Sequence, residues 1–143
     1  NDGYALQFAD DTLKKDKEVV LAAVKGKGGG LQFADDSLKK DKEVVLAYIK
    51  DNGLSLQFAD ESFKKDKEIV LTALKNSSGT ALEFADDKFK NDKEIVLTAV
   101  NSLKSLSEDD LTKYDIESIL SILDNSLKND PDILKIINDK KNT

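Results

Sequence analysis

Carboxylates and amines are the side chains in this sequence that carry charge at neutral pH, and they recur at fixed spacing. Asp10, Asp35, Asp60 and Asp86 each begin an acidic pair, and Lys14, Lys39, Lys64 and Lys90 follow four residues after them. Paired carboxylates can serve as general acid and base when a shaped cleft holds them. They can also bind Ca²⁺ when oxygens alternate along a loop with a central Gly and a closing Glu. The stretch Asp35-Asp36-Ser37-Leu38-Lys39-Lys40-Asp41 has lysines where ligands should stand and lacks that Gly. A site copied four times along near-identical segments offers no unique cleft for catalysis. Charge runs are ordinarily solvated surface, and acidic pairs suit helix turns and caps. The expectation is no catalytic, cofactor-binding or metal-binding residue. The aspartate row and the lysine row remain candidate interaction surface for a protein partner.

Composition narrows the chemistry further. The 143 residues include no His, Cys, Met or Trp, and all 22 basic residues are lysines. Disulfides and Cys/His zinc sites are excluded, as are Ser–His and Cys–His nucleophile pairs. Arginine readout of guanine is excluded too. The net charge is −6, and no repeat carries more than one net positive charge. Nucleic-acid binding calls for a basic excess, so no nucleic-acid partner is expected. No apolar run approaches the roughly 18 residues of a membrane span, and no membrane partner is expected. A chain without Met does not begin at a translational start, so the sequence is expected to be a piece of a larger protein. Hydrophobic residues make up 39 % and charged residues 35 %, which indicates much surface for little core.

These residues are placed by an internal repeat. Leu6-Gln7-Phe8-Ala9-Asp10-Asp11 returns at residues 31–36, 56–61 and 82–87. The phenylalanines Phe8, Phe33, Phe58 and Phe84 are spaced 25, 25 and 26, and so are Asp16, Asp41, Asp66 and Asp92. The repeats span 3–27, 28–52, 53–78 and 79–103. Asn125-Ser126-Leu127-Lys128-Asn129-Asp130 marks a weaker fifth copy at 117–141, after an insert at 104–116. Terminal repeats are often atypical because they cap an array.

Each repeat is expected to fold as two helices. The second has Asp16 as N-cap, Lys17-Glu18 in its first turn and the apolar run 19–24. In the fifth copy Pro131 directly follows Asp130, and Pro favours the first helical position. The next repeat's glycine is expected to end the helix in a left-handed conformation. On a helical wheel Val19, Val20, Leu21, Ala23 and Val24 cover an arc of about 200°. An arc that wide needs neighbours on more than one side. The first helix is expected over residues 3–11, with Leu13 in a tight link. A strand at Val44-Val45-Leu46 is the rival reading. It fails because the run follows an Asp cap, continues to Ile49 and does not alternate. The fold class is therefore all-α, a right-handed α-solenoid of tandem two-helix repeats of about 25 residues.

Two positions break the repeat. Tyr48 stands where the others have Ala23, Ala73 and Ala99. It is either an aromatic anchor for a partner or filler for bulk missing at Gly29-Gly30, and the second reading is favoured. The insert, with Ser107 and Asp110 resembling a capping box and with Tyr114 as a candidate contact for a protein partner, is either functional surface or a spacer that adjusts the last repeat.

The repeats resemble the family known as domain of unknown function 4116. The stretches that carry the resemblance are Ala5-Leu6-Gln7-Phe8-Ala9, Leu13-Lys14-Lys15-Asp16-Lys17-Glu18-Val19-Val20-Leu21-Ala22-Ala23-Val24 and Gly28. Asp replaces the family's Ser after Ala9, and Lys its Arg after Leu13. The resemblance implies a tandem helical module of larger proteins, including secreted effectors of intracellular bacteria. The compartment would then be the cytoplasm or a host cell. It brings no catalytic residue. The expected role is a monomeric, non-catalytic module for protein–protein interaction or spacing. The alternative is an accessory or regulatory domain of an enzyme whose catalytic part lies outside this sequence.

Overall fold

Every repeat contains two aspartates that cap helices, six residues apart, and they cut it into three short elements. The computed structural model describes residues 3–25, 29–103 and 111–141, and of 111–114 and 141 the backbone alone. In the first repeat a 3-10 turn, Gly3–Phe8, leads into α1 (Asp11–Lys15) and α2 (Lys17–Val24). The second has Gly30–Phe33, α3 (Asp36–Lys39) and α4 (Lys42–Asp51). The third has Gly53–Phe58, α5 (Glu61–Lys64) and α6 (Lys67–Lys75). The fourth has Thr80–Phe84, α7 (Asp87–Lys90) and α8 (Lys93–Ser102). The last copy comprises α9 (Leu111–Ile122), α10 (Asn125–Lys128) and α11 (Pro131–Lys141).

The expected first helix over 3–11 thus resolves into a 3-10 turn, and the expected link is a one-turn α-helix. Asp10 is the cause. Its extended backbone (φ −70°, ψ 169°) cannot continue the turn, and its side chain accepts from Thr12 N and Leu13 N at 2.9 and 3.0 Å. An N-cap residue is non-helical by nature, so each cap breaks the preceding element as it starts the next. Asp130 caps α11 in the same way, accepting from Asp132 N and Ile133 N, with Pro131 at the first helical position as expected.

The structure is an α-solenoid. The longer helices stack in order, α2 on α4, α4 on α6, α6 on α8 and α8 on α11. The 3-10 turns stack beside them, and α9 takes the corresponding place in the last copy by packing on Thr80–Phe84. Helix α9 runs through the expected boundary at 116/117, while residues 104–110, with Ser107 and Asp110, lie outside the described residues.

The two ends reveal which side of each long helix faces which neighbour. Val20, Val45, Val70 and Val96 are fully buried, but their counterpart Leu134 in the last copy is 38 % exposed. That position faces the following repeat. Val44, Ile69, Ile95 and Ile133 are fully buried, whereas Val19 in the first repeat is only half-buried. That position faces the preceding repeat. The wide apolar arc therefore serves two interfaces, and each fully buried aliphatic side chain contributes about 1.5–3 kcal/mol.

The repeat glycines do not share one conformation. Gly79 is left-handed (φ 83°), as expected, and follows Ser78 at φ 51°. Gly53 is not left-handed, because Asn52 already ends α4 in extended backbone. Its reason for being glycine is proximity: a Cβ there would collide with the carbonyl oxygen of Ala73 and stand 2.9 Å from the carbonyl carbon of Asn76. Gly28 lies outside the described residues.

Candidate interaction surface

The four aspartates of the acidic row, Asp10, Asp35, Asp60 and Asp86, are the N-caps of α1, α3, α5 and α7. Their carboxylates are committed to backbone amides and, in three repeats, to the hydroxyls of Thr12, Ser37 and Ser62 at 2.6–2.7 Å. These hydrogen bonds hold Asp10, Asp35 and Asp60 below the usual carboxylate range. The lysine row is also engaged. Lys39, Lys64 and Lys90 pair with Asp36, Glu61 and Asp87 at 3.0, 2.7 and 2.7 Å, one helical turn away. In the second to fourth repeats the lysine row is thus paired with the second acidic residue of each pair, while the first serves as the cap. The stack also ties them across repeats, with Asp35 N donating to Lys14 O and Asp86 N to Lys64 O, each at 3.0 Å.

A third charged row joins the long helices and was not singled out in the sequence. Lys17 Nζ reaches Asp41 and Glu43 of the next repeat at 2.8 and 2.9 Å. Lys42 reaches Asp66 and Glu68 at 2.9 and 2.8 Å. Lys67 reaches Glu94 at 2.8 Å and Asp92 at 3.9 Å. Lys93 closes the series on Asp130 and Asp132 at 2.8 and 2.7 Å. Each lysine sits at the first position of its helix and clasps the cap and first turn of the helix that follows. The bound lysines hold the carboxyls of Asp41, Asp66 and Asp130 below their usual range. In turn Asp41 and Glu43 raise Lys17 above its usual range, Glu68 and Asp66 raise Lys42, Glu94 raises Lys67, and Asp130 and Asp132 raise Lys93.

The pH dependence of stability follows from these signs. Lowered carboxylates stabilise the fold fully above the unfolded value of about 3.9 and lose that contribution as pH falls through their folded values. Raised lysines stabilise fully below about 10.4 and lose it as pH rises through theirs. With no His and no Cys, no side-chain type present has an ordinary pKa between about 5 and 9. Thermal unfolding followed by circular dichroism should give a midpoint that is flat from about pH 5 to 9 and falls on both sides. A slope within that window would contradict the assignment.

Tyr48 is 5 % exposed and its ring belongs to the core. A Cβ on Gly29 would lie 3.7 Å from its hydroxyl. Burial pushes the pKa of its hydroxyl above the usual phenol range, opposed by a hydrogen bond with buried Ser55 of the third repeat. The ring therefore fills the space that Gly29-Gly30 leaves. Tyr114 lies in α9, and its side chain is outside the described residues.

Among the described residues an open groove of about 630 Å³ lies between α2 and α4, and a smaller one of about 290 Å³ lies between Lys14 and Lys15 of the first repeat and Asp35 and Asp36 of the second. Leu21, Leu46 and Ala47 form the floor of the larger groove, with Lys25, Lys50 and Asp51 at its rim. Leu71 and Leu97, half-buried, continue the leucine row on α6 and α8.

One family model matches the chain four times, over residues 1–39, 20–64, 41–79 and 66–109. The chain belongs to that family, described as a domain of unknown function (DUF4116). No curated protein and no solved structure matches it. Three of the DUF4116 matches, 20–64, 41–79 and 66–109, run from one long helix into the next. The matches end at 109, so the last copy has departed from the family pattern while keeping its caps and its place on α8. No described helix is long and apolar enough to cross a membrane.

Proposed function

We propose that this DUF4116 array is a non-catalytic module for protein–protein interaction or spacing within a larger protein. The observation that carries the proposal is the open groove between α2 and α4, floored by Leu21, Leu46 and Ala47, while caps, one-turn pairs and the inter-repeat lysines use most of the charged rows within the stack. Stacked repeats present extended faces of this kind to partners. The absence of His and Cys from the sequence removes the usual nucleophile–base pairs, which favours this reading over catalysis. The family's occurrence in secreted bacterial effectors makes such an effector the parent we favour.

The test is capture of a partner from lysate by the chain and by a Lys25→Glu, Lys50→Glu variant. Both positions are exposed and lie outside the inter-repeat lysine series. A specific protein recovered by the parent chain and lost in the variant supports interaction through this groove. Equal recovery by both would remove the groove from the role. No recovery by either would leave spacing as the function.

A further inference from the structure

The first repeat carries a complete but uncovered junction. At the four internal junctions the preceding repeat buries the same side chains. Leu38, Phe63, Phe89 and Leu127 are 5–9 % exposed, and their counterpart Leu13 is 42 % exposed. Tyr48, Ala73, Ala99 and Ile137 are buried, and Ala23 is only half-buried. The charges repeat the pattern. Asp41, Asp66, Asp92 and Asp130 each receive a lysine from the repeat before. Asp16 accepts from Glu18 N and Val19 N at 2.9 and 3.2 Å, and among the described residues no lysine reaches it or Glu18.

The other end has the opposite character. Pro131 stands where the clasping lysine should be, and exposed Asn138 replaces buried Val24, Ile49, Leu74 and Val100. That face keeps Leu134 partly exposed but lacks both the cation and the second apolar residue that the internal junctions use at these positions. It also cannot serve the open end of a second copy, because head-to-tail stacking would bring Pro131, not a lysine, to Asp16.

We infer that the N-terminal face of this stack receives one further helical repeat of the same pattern, carried on the same polypeptide ahead of Gly3, whose longer helix begins with a lysine that clasps Asp16 and Glu18. Growth of the array is thus possible at its N-terminal end and closed at its C-terminal end. A covalent neighbour fits best because Lys17 and Lys42 each stand 24 residues before the aspartate they clasp. The junction lies at the end of the stack, so it stands whether or not the outer groove binds a partner.

The experiment extends the chain with a duplicate of residues 53–77 placed directly before Gly3, which sets the copy of Lys67 at that same separation from Asp16. Amide hydrogen exchange in α1 and α2 should slow about tenfold or more, as for a newly covered element. Changing the added lysine to Glu should remove most of the gain, and combining that change with Glu18→Lys should restore it. The same duplicate placed after Lys141 should leave exchange in α11 unchanged. Unchanged exchange in α1 and α2 after the N-terminal addition would overturn the proposal. So would equal protection at the C-terminal end, a lysine-to-Glu change without effect, or concentration-dependent dimers of the unextended chain that protect α2.

Discussion

Replacing Gly79 with alanine is expected to lower the unfolding free energy by roughly 2–5 kcal/mol. Two independent costs add at this position. The backbone is left-handed at φ 83°, which costs an L-residue with a Cβ about 1–2 kcal/mol. The new methyl would also strike the backbone carbonyl of Ala99. Neither group can swing aside as a side-chain tip could, so the 3-10 turn must move off α8, an overpacking cost of about 1–3 kcal/mol. Gly53→Ala separates the two contributions. Its backbone is not left-handed, so only the collisions with Ala73, Asn76 and Ser77 apply, and the expected loss is about 1–3 kcal/mol. Urea unfolding followed by circular dichroism measures both. A Gly79→Ala loss below about 0.5 kcal/mol, the range of ordinary surface substitutions, would contradict the close approach.

Tyr48→Ala is expected to cost about 3–5 kcal/mol, the range for truncating a buried aromatic. The loss has a geometric basis, because Gly29 and Gly30 provide no side chain to close the cavity. Tyr48→Phe keeps the ring and loses only the hydrogen bond with Ser55, so it should cost about 0.5–1.5 kcal/mol. The two variants in the same urea series distinguish packing from hydroxyl chemistry. A loss under about 1 kcal/mol for Tyr48→Ala would show that the ring supports little of the core.

Much of this architecture is legible in the sequence for simple physical reasons. The 25-residue period, the second cap in each repeat and the apolar arc are local patterns, and local patterns report local structure. Pro131 after Asp130 locates the helix start in the one copy where the pattern is weakest. The division of the first helix follows from the extended backbone of Asp10 at its cap position, which hydrophobic spacing over residues 3–11 does not report. An aspartate followed two residues on by Thr12, Ser37 or Ser62 is itself a capping signature. Gly53 shows a different limit: a close approach to Ala73 is a tertiary contact and has no local signal.

The inter-repeat lysines were legible and passed over. Lys17, Lys42, Lys67 and Lys93 each occupy the first position of a helix. A cation there opposes the helix dipole, which favours anions at that end. A residue that is locally unfavourable and yet repeats four times must serve a partner outside its own helix. Its replacement by Pro131 in the last copy, which has no described repeat after it, agrees with that reasoning. Asp10, Asp35, Asp60 and Asp86 cap helices and Lys39, Lys64 and Lys90 form one-turn pairs, and the groove between α2 and α4 depends on stacking that no single repeat encodes.

The central claim is that the chain is a one-dimensional stack in which each repeat leans on its neighbours. Small-angle X-ray scattering tests it most directly. A compact globule of 143 residues would have a radius of gyration of about 14–15 Å. Five repeats stacked at helix spacings of about 8–10 Å should give a larger value and a pair-distance distribution with an extended tail. A radius at or below the globular figure would contradict the solenoid.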